Sequence, residues 1–428
     1  MAALRFAHLA DLHLDTPFRG VGLADPALQA ALADASLQAW DRAVDTCLEE
    51  RPDFVVIAGD VYDQEAAGIR AQLRFLRGLQ RLSAAAVPAF VVHGNHDPQG
   101  GRWPAIRAWP PGVTVFGHDG VTSVPVLRDG ETVALVHGMS YPVRHVTENL
   151  ARRFRRRSDV PPAVYQVGLL HASVGAQPEH DVYAPCSLED LRRTGLDYWA
   201  LGHVHTRQTL AAEGPAAVYP GNLQARHPGE QGPRGFYLVE AGVGRPPTLD
   251  FRPCDLWRFA TLTLDLGETP LGSADELVGH LLQSAQARRA DRGLIARAEV
   301  GGATPLHADL TRPAAREDLL RDLREQAAGP GDLWWDDLTI RTRPPRDRRE
   351  RMEAADFVGD LLRWSAAHRS EAPSRVAALL RGLSGTGEFS AIRRELDWEG
   401  IAAAGDQLSE EAEQLAWDLL EERGERER

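Results

Sequence analysis

The sequence predicts an α/β fold built on parallel strands, and two observations carry that expectation. Short, continuously apolar runs of strand length alternate with amphipathic segments of helical period. Each of the first runs closes on a carboxylate, an imidazole or an amide. Parallel strands joined by crossover helices bring their carboxyl ends to one crevice, which is where α/β sheets place ligands.

The first run, Leu4 to Ala10, ends in Asp11-Leu12-His13, and strand alternation puts Asp11 and His13 on one side of an extended segment. Two ligands at that spacing can grip one metal ion. Asp25-Pro26 reads as an N-cap followed by proline at the first helical position, opening a single amphipathic helix through Leu28, Leu32, Trp40, Val44 and Leu48. Phe54 to Ala58 is apolar throughout, as in a strand buried on both faces, and stops at Gly59-Asp60 with Asp63 close behind. Leu73, Leu76, Leu79 and Leu82 mark the next helix. Pro88 to Val92 then leads through His93-Gly94 into Asn95-His96-Asp97, a neutral oxygen ligand, a proton donor and an acceptor in consecutive positions.

From Val113 to Gly138 glycine and proline turns replace the helices, which predicts antiparallel additions or a second sheet. Arg152, Arg153, Arg155, Arg156 and Arg157 form the densest basic run, open to two readings: a solvated face or a contact for a phosphate backbone. Gln166 to Leu170 is a buried strand ending at His171. Tyr198 to Leu201 ends in Gly202-His203-Val204-His205, where alternation again turns both imidazoles to one side. Ala217 to Tyr219 and Gly235 to Val239 are strands bracketing a polar loop, Pro220 to Gln224, that can lie over the crevice.

After Cys254 the pattern restarts. Leu262 to Leu266, Leu294 to Val300 and Leu333 to Thr342 read as strands, and Ala274 to Ala287 and Glu317 to Ala327 as helices. No ligand-type residues cluster at their ends, so this part reads as a smaller α+β accessory domain. Pro344-Pro345 and the charged run after it mark a boundary. Beyond it, Phe357, Leu361, Leu362, Val376, Leu379, Leu380, Leu415, Trp417, Leu419 and Leu420 give moderately apolar helices that either pack on the body or dock onto a partner. The expected division is 1–255, 256–345 and 346–428.

Composition narrows the function classes. With 428 residues, 43% of them hydrophobic, the chain has the means to bury a full core. A formal charge of -13 argues against a surface that is wholly a nucleic-acid footprint, while a local basic groove remains compatible with it. All 48 basic residues are arginine, so the lysine of a P-loop and the amine of a Schiff base are both missing. If ATP is involved, a partner binds it. Cys47, Cys186 and Cys254 are too few and scattered for a disulfide framework, which fits a reducing compartment and points to the cytoplasm. Asp11 and Asp15 interrupt the apolar N-terminal run, so neither a signal peptide nor a membrane span is expected.

Together the strand ends deliver Asp11, His13, Asp60, Asn95, His171, His203 and His205. Seven oxygen and nitrogen donors without a thiolate suit hard or borderline divalent ions, and two such ions sharing a carboxylate sit ~3.5 to 4 Å apart. Asp60, central in the order, is the expected bridge. Two divalent ions against two carboxylates leave a positive pocket for a phosphate ester. His96 is the spare imidazole, placed to protonate a departing oxygen, with Asp63 or Asp97 fixing its tautomer. His8, His93, His137, His180 and His227 read as structural.

The set DLH, GDVYD, GNHD, a lone His171 and GHVH, in this order, resembles the calcineurin-like metallophosphoesterases over about the first 255 residues. The resemblance implies a four-layer αββα sandwich, two mixed sheets flanked by helices. It also implies one metal on Asp11, His13, Asp60 and His205, a second on Asp60, Asn95, His171 and His203, and His96 as general acid. Within that superfamily, DLHLDTPF and the later YPGNLQARHPGE followed by GFYLVE look like DNA repair exonucleases of the SbcD and YhaO type. Those are nuclease subunits with a capping domain, usually manganese-dependent, often homodimeric, acting on DNA with a coiled-coil ATPase of the SbcC kind. The chain departs from several of them in carrying Asp63 where they have a histidine, as many phosphatases do. The rival readings are a phosphoesterase for a smaller ester, such as a cyclic nucleotide or a phosphoprotein, and a non-catalytic scaffold that keeps the fold.

Overall fold

The computed structural model describes residues 3–14, 16–20, 26–63, 68–99, 106, 108–175, 183–327, 332–345, 348–371 and short helical pieces between 374 and 420. Asp15, Asp25, His180, Val376 and Leu380 lie outside the described residues. The chain divides into two compact units, residues 1–302 with 308–342 and residues 303–307 with 343–428.

In the larger unit, β1 (Leu4–Leu9), β2 (Phe54–Ala58), β3 (Ala89–Val92) and β4 (Val113–Val115) run parallel, with helices α1 (Pro26–Ala33), α2 (Ala35–Glu50) and α3 (Ile69–Ala84) between them. A second sheet holds β5 (Thr122–Arg128), β6 (Glu131–Gly138), β7 (Tyr165–His171), β8 (Tyr198–Gly202), β9 (Gln208–Ala211) and β10 (Ala216–Tyr219), with the short helix α4 (Leu188–Arg192) before β8. The chain returns to the first sheet through β11 (Gly235–Gly242), antiparallel to β1, and β12 (Arg245–Pro253), which gives the order β12-β11-β1-β2-β3-β4.

Strand alternation sorts the apolar side chains into layers. Phe6, Phe54, Val56, Phe90, Val167, Leu169, Tyr198 and Ala200 fill the core between the two sheets. Their sequence neighbours Ala7, Val55, Ile57 and Val91 turn outward against Trp40, Val44, Phe75 and Leu79 of α2 and α3. On the far side Leu170, Trp199 and Leu201 pack with Phe154 and Leu191. Strands buried on both faces therefore read as continuous apolar runs, and the result is a mixed α/β sandwich with helices outside both sheets.

The helix after Asp25 is two helices. Asp34 breaks it between Ala33 and Ala35, standing as N-cap of α2 with its carbonyl accepting from Gln38 N, while its carboxylate engages Arg70. Leu28 and Leu32 consequently leave the face of Trp40 and Val44. They pack instead with Phe18, Ala225, Trp257, Phe259 and Ile295.

A third sheet follows, β13 (Trp257–Asp265), β14 (Gly293–Ala303) and β15 (Leu333–Arg343), with α5 (Ala274–Arg289), α6 (His307–Leu310) and α7 (Ala315–Ala327) between its strands. In the smaller unit, α8 (Arg348–Glu353) and α9 (Phe357–Ala367) form a core of Val358, Leu362 and Trp417 with Met352 and Leu420 against it, closed by an Arg348–Glu413 ion pair. Phe357, Leu379, Leu415 and Leu419 remain exposed. No helix among the described residues is long and apolar enough to cross a membrane.

The arginine run lies around a 3-10 turn, Leu150–Arg153. Arg152 pairs with Asp190, Arg153 with Glu148, Arg156 with Asp197 and Arg157 with Asp159, while Arg155 bonds the carbonyls of Arg152 and Phe154. Of the two readings, a solvated face satisfied by the chain's own carboxylates is the one this geometry supports.

Where the sheets meet at their carboxyl ends, backbones approach closely. A Cβ on Gly202 would lie 1.9 Å from the Ala58 carbonyl oxygen and 3.0 Å from the His171 ring. Gly202→Ala is therefore expected to cost about 1–3 kcal/mol or more by overpacking, read as a lowered urea midpoint. An unchanged midpoint would contradict this strand-to-strand contact.

Candidate metal centre

The site is made of residues that end strands or directly follow them. β1 stops at Leu9, and Asp11 and His13 then adopt left-handed backbone, φ 51° and 42°, so they are not alternate residues of an extended segment. Backbone hydrogen bonds from Asp11 N to Gly59 O (3.1 Å) and His13 N to Asp60 O (3.0 Å) fix this turn against the end of β2. Asp60 and His203 also have positive φ, 49° and 106°. The imidazoles of His203 and His205 are likewise placed by a turn after β8 and not by strand periodicity. Such backbone is unfavourable for these residue types and persists only where surrounding bonds hold it.

Of the three trios of ligand-type side chains among the described residues, one is His13 with Asp63 and His96, and two fall on the expected ligands, Asp11 with His13 and His205, and Asp11 with Asp60 and His171. Asp60 faces both: its Oδ2 is 3.8 Å from His13 Nε2 and 3.4 Å from His171 Nε2. Asn95 Oδ1 lies 2.9 Å from the same His171 nitrogen. The His203 N–H donates to both Asp11 oxygens at 3.0 and 3.1 Å, and its ring stands edge-on to His171 with centroids 5.3 Å apart. All seven residues converge on this one region, although His203 enters neither trio through its side chain.

Acceptors behind the rings fix which nitrogen each histidine turns inward. His13 Nδ1 is 3.0 Å from Asp63 Oδ1 and His205 Nδ1 is 2.6 Å from Glu230 Oε1. Burial works against both carboxylates, yet the histidine hydrogen bonds, with Arg226 adding its charge, hold each below the usual carboxylate range. Ionised carboxylates only accept, so both Nδ1 atoms carry the proton and donate it. Burial and Arg226 keep His13 neutral. The two Nε2 atoms then face each other across 3.1 Å. His171 repeats the pattern: its Nδ1–H donates to the Ala58 carbonyl at 2.9 Å, which leaves Nε2 turned toward the oxygens of Asn95 and Asp60.

Acceptors facing acceptors in a buried site need positive charge between them. Asp11 and Asp60 report the same strain, since burial pushes the pKa of each above the usual carboxylate range and Asp60 adds its repulsion to Asp11. Nitrogen and oxygen donors with no thiolate fit divalent cations, and the imidazoles of His13, His205 and His171 each have an acceptor behind Nδ1 that turns Nε2 inward.

His96 is different in kind. Its side chain is 34% exposed while those of His13 and His171 are 1% and 0% exposed, so it alone of the three reaches the open rim. Its Nδ1 is 2.6 Å from Asp63 Oδ1, and its backbone N–H donates to Asp60 Oδ1 at 2.9 Å. Burial opposes its charge, but Asp63 and then Asp60 outweigh burial and raise its pKa. Of the two carboxylates left open for this role, Asp63 makes the contact. Asp97 faces elsewhere, accepting from Gly94 N at 2.7 Å and Val61 N at 2.8 Å, where it holds the turn that carries Asn95.

Three residues escaped the sequence reading. Glu230 orients His205; Arg226 donates to Asp63 Oδ2 at 3.3 Å and its backbone N–H to Glu230 at 2.7 Å; Thr16 donates to Asp63 Oδ2 at 3.0 Å. Arg226 and Glu230 stand in the ARHPGE stretch already noticed, and that stretch was the available signal. Of the histidines read as structural, His8 bonds Tyr198 and Leu201, His137 bonds Ser123 and Gln166, and His93 sits 3.4 Å from Asp97. His227 lies 3.3 Å from Glu230, at the edge of the site.

Residues 4–207 match the family of calcineurin-like phosphoesterases, and residues 259–343 match the middle domain of the metallophosphoesterase YhaO. The uncharacterized metallophosphoesterase YhaO of Bacillus subtilis is 39% identical over 241 residues, 56% of this chain and 58% of its own length. The DNA double-strand break repair protein Mre11 of Aeropyrum pernix is 30% identical over 232 residues, 50% of this chain and 52% of its own. A solved dimetal phosphatase from Danio rerio is similar at 14% identity and a TM-score of 0.33, over 59% of this chain and 99% of that one. The chain thus spans 58% and 52% of the two curated relatives.

Glu230→Ala removes the acceptor that fixes His205. One of the binding events in a calorimetric titration with Mn2+ is expected to weaken about 10- to 100-fold, with the His171 side of the centre unaffected. Undiminished affinity throughout would contradict the orienting role.

Proposed function

We propose, for a chain whose residues 4–207 belong to the calcineurin-like metallophosphoesterases, that it is a two-metal phosphodiesterase that cleaves DNA from its ends, working with a separate coiled-coil ATPase of the SbcC kind. The observation that carries this reading is the pair of inward-facing acceptor sets joined by Asp60, with His96 exposed beside them. Asp11, His13, Asp60 and His205 would hold one cation, and Asp60, Asn95, His171 and His203 the other, manganese being the expected metal. When bound, the pair supplies Lewis acidity to the phosphoryl oxygens and acidifies water enough for attack near neutral pH.

The chain's own residues do the rest. Asp63 fixes His13 and His96 through one carboxylate oxygen, so the ligand set and the proton donor share a reference point. His96, its Nδ1 tied to Asp63, presents Nε2 to the rim, where it can pass a proton to the leaving oxygen. Thr16 and Arg226 hold the other Asp63 oxygen and keep that carboxylate from rotating.

The nuclease reading is supported by the likeness to Mre11 and by the match of residues 259–343 to the middle domain of YhaO. ATPase dependence and homodimer formation are parts of the same proposal; the absence of lysine is consistent with a partner that handles ATP, and the buried free cysteines with a cytoplasmic setting. A phosphatase for smaller esters is the second reading, favoured by the acidic net charge.

The isolated chain should cleave bis(p-nitrophenyl) phosphate with added Mn2+, and product analysis on linear duplex and single-stranded DNA, with and without the ATPase, separates the two readings. No turnover above background in any divalent metal would sink the phosphodiesterase. His96→Ala is expected to retain bound metal and lose turnover by roughly 10²- to 10⁴-fold. Loss of metal along with activity would instead make His96 a ligand.

A further inference from the structure

Beside the metal centre, and sharing His205 with it, lies a cavity of about 160 Å³ whose lining includes Thr206, Arg207 and Arg234. Arg234 is buried, and the hydrogen bonds of its guanidinium all go to neutral oxygens. Nη1 donates to the His205 carbonyl and to Asn222 Oδ1, and Nη2 donates to the Gln231 carbonyl. Its Nε has no hydrogen-bond partner among the described residues. Arg207 is exposed, with its guanidinium 3.9 Å from the Phe251 ring centroid, and it has no carboxylate partner among the described residues. That contrasts with Arg152, Arg153, Arg156 and Arg157, each matched to a carboxylate.

Two guanidinium groups on one small cavity repel unless an anion joins them, and planar N–H arrays are suited to phosphate oxygens. The two carboxylates near Arg234 are already engaged, Glu230 by His205 Nδ1 and Arg226 N, and Asp255 by Arg234 N and the Arg258 guanidinium. Thr206 brings a hydroxyl to the same wall. The volume equals that of roughly five water molecules, room for a phosphate group and too little for a nucleoside.

We infer that this cavity binds a phosphate flanking the scissile one, and so selects an extended phosphodiester strand over an ester with a single phosphate. The inference rests on the phosphodiesterase reading, which supplies the scissile position. A monoester or a cyclic nucleotide has no second phosphate to place here, whereas each link of a nucleic-acid strand brings one.

Arg207 belongs to neither ligand set and rests its guanidinium on Phe251 of β12, so its side chain is the one to change while keeping the chemistry. In the full chain, Arg207→Ala should raise KM for a short single-stranded oligodeoxynucleotide roughly tenfold, with kcat unchanged and both constants for bis(p-nitrophenyl) phosphate unchanged. Arg207→Lys should recover most of the loss. Fluorescence anisotropy of the same oligonucleotide on protein held in EDTA should show the salt slope falling by about one in the alanine variant. Equal effects on both substrates, no change in KM and slope, or an effect confined to a multiply phosphorylated peptide would each overturn the subsite. If the unaltered chain cleaves neither substrate, the phosphodiesterase reading falls, and the anisotropy still decides whether Arg207 binds a strand.

Discussion

Buried acceptors that face one another need a positive charge among them, and this requirement governs the strand ends of the sandwich. His13 Nε2 and His205 Nε2 stand 3.1 Å apart, and His171 Nε2 faces Asn95 Oδ1 and Asp60 Oδ2. A chain could relieve such contacts by swinging a side chain into solvent. Here the packing opposes it. Asp63, Glu230 and the Ala58 carbonyl each hold the opposite ring nitrogen, and glycines at 59, 94 and 202 let the His171 ring lie where a Cβ would otherwise stand. The structure keeps the strain and leaves the relief to cations.

Asp63 shows how far one side chain can extend that order. One oxygen receives His13 and His96, the other Thr16 and Arg226. Four donors on one carboxylate explain why its pKa lies below the usual carboxylate range even though burial opposes that. They also tie the buried His13 to the exposed His96 with no flexible joint between them. At this position a histidine would offer one lone pair at most and could not hold both rings.

Much of this was legible in the sequence because burial on both faces writes itself as unbroken apolar runs. Phe54–Ala58 and Tyr165–His171 could hardly be anything else, and the ligands stand directly at their ends. What alternation misjudged was the backbone between ligands: Asp11, His13, Asp60 and His203 reach the site through left-handed turns that no periodicity records. Glu230 and Arg226 were illegible for another reason. Their partners lie 25 and 163 residues away, and a side-chain hydrogen bond over that separation leaves no local pattern. The break at Asp34 escaped because apolar residues continue in helical phase on both sides of it, although they serve two different cores.

The loop carrying Arg226 ties the centre to the third sheet. Gln224, two residues before it, is buried and donates to the Trp257 carbonyl at 2.7 Å while accepting from Leu256 N at 2.8 Å, at the start of β13. Ala225 packs with Phe18, Phe259 and Ile295. A shift of β13 must therefore move Gln224, and with it the two residues that fix His205 and Asp63. Arg234 extends the tie: its backbone N–H donates to Asp255 Oδ2, whose carboxylate also receives Arg258 at the start of β13, while its guanidinium grips the carbonyl of His205. The third sheet is thus joined to the His205 side of the site by buried hydrogen bonds and not by a loose linker.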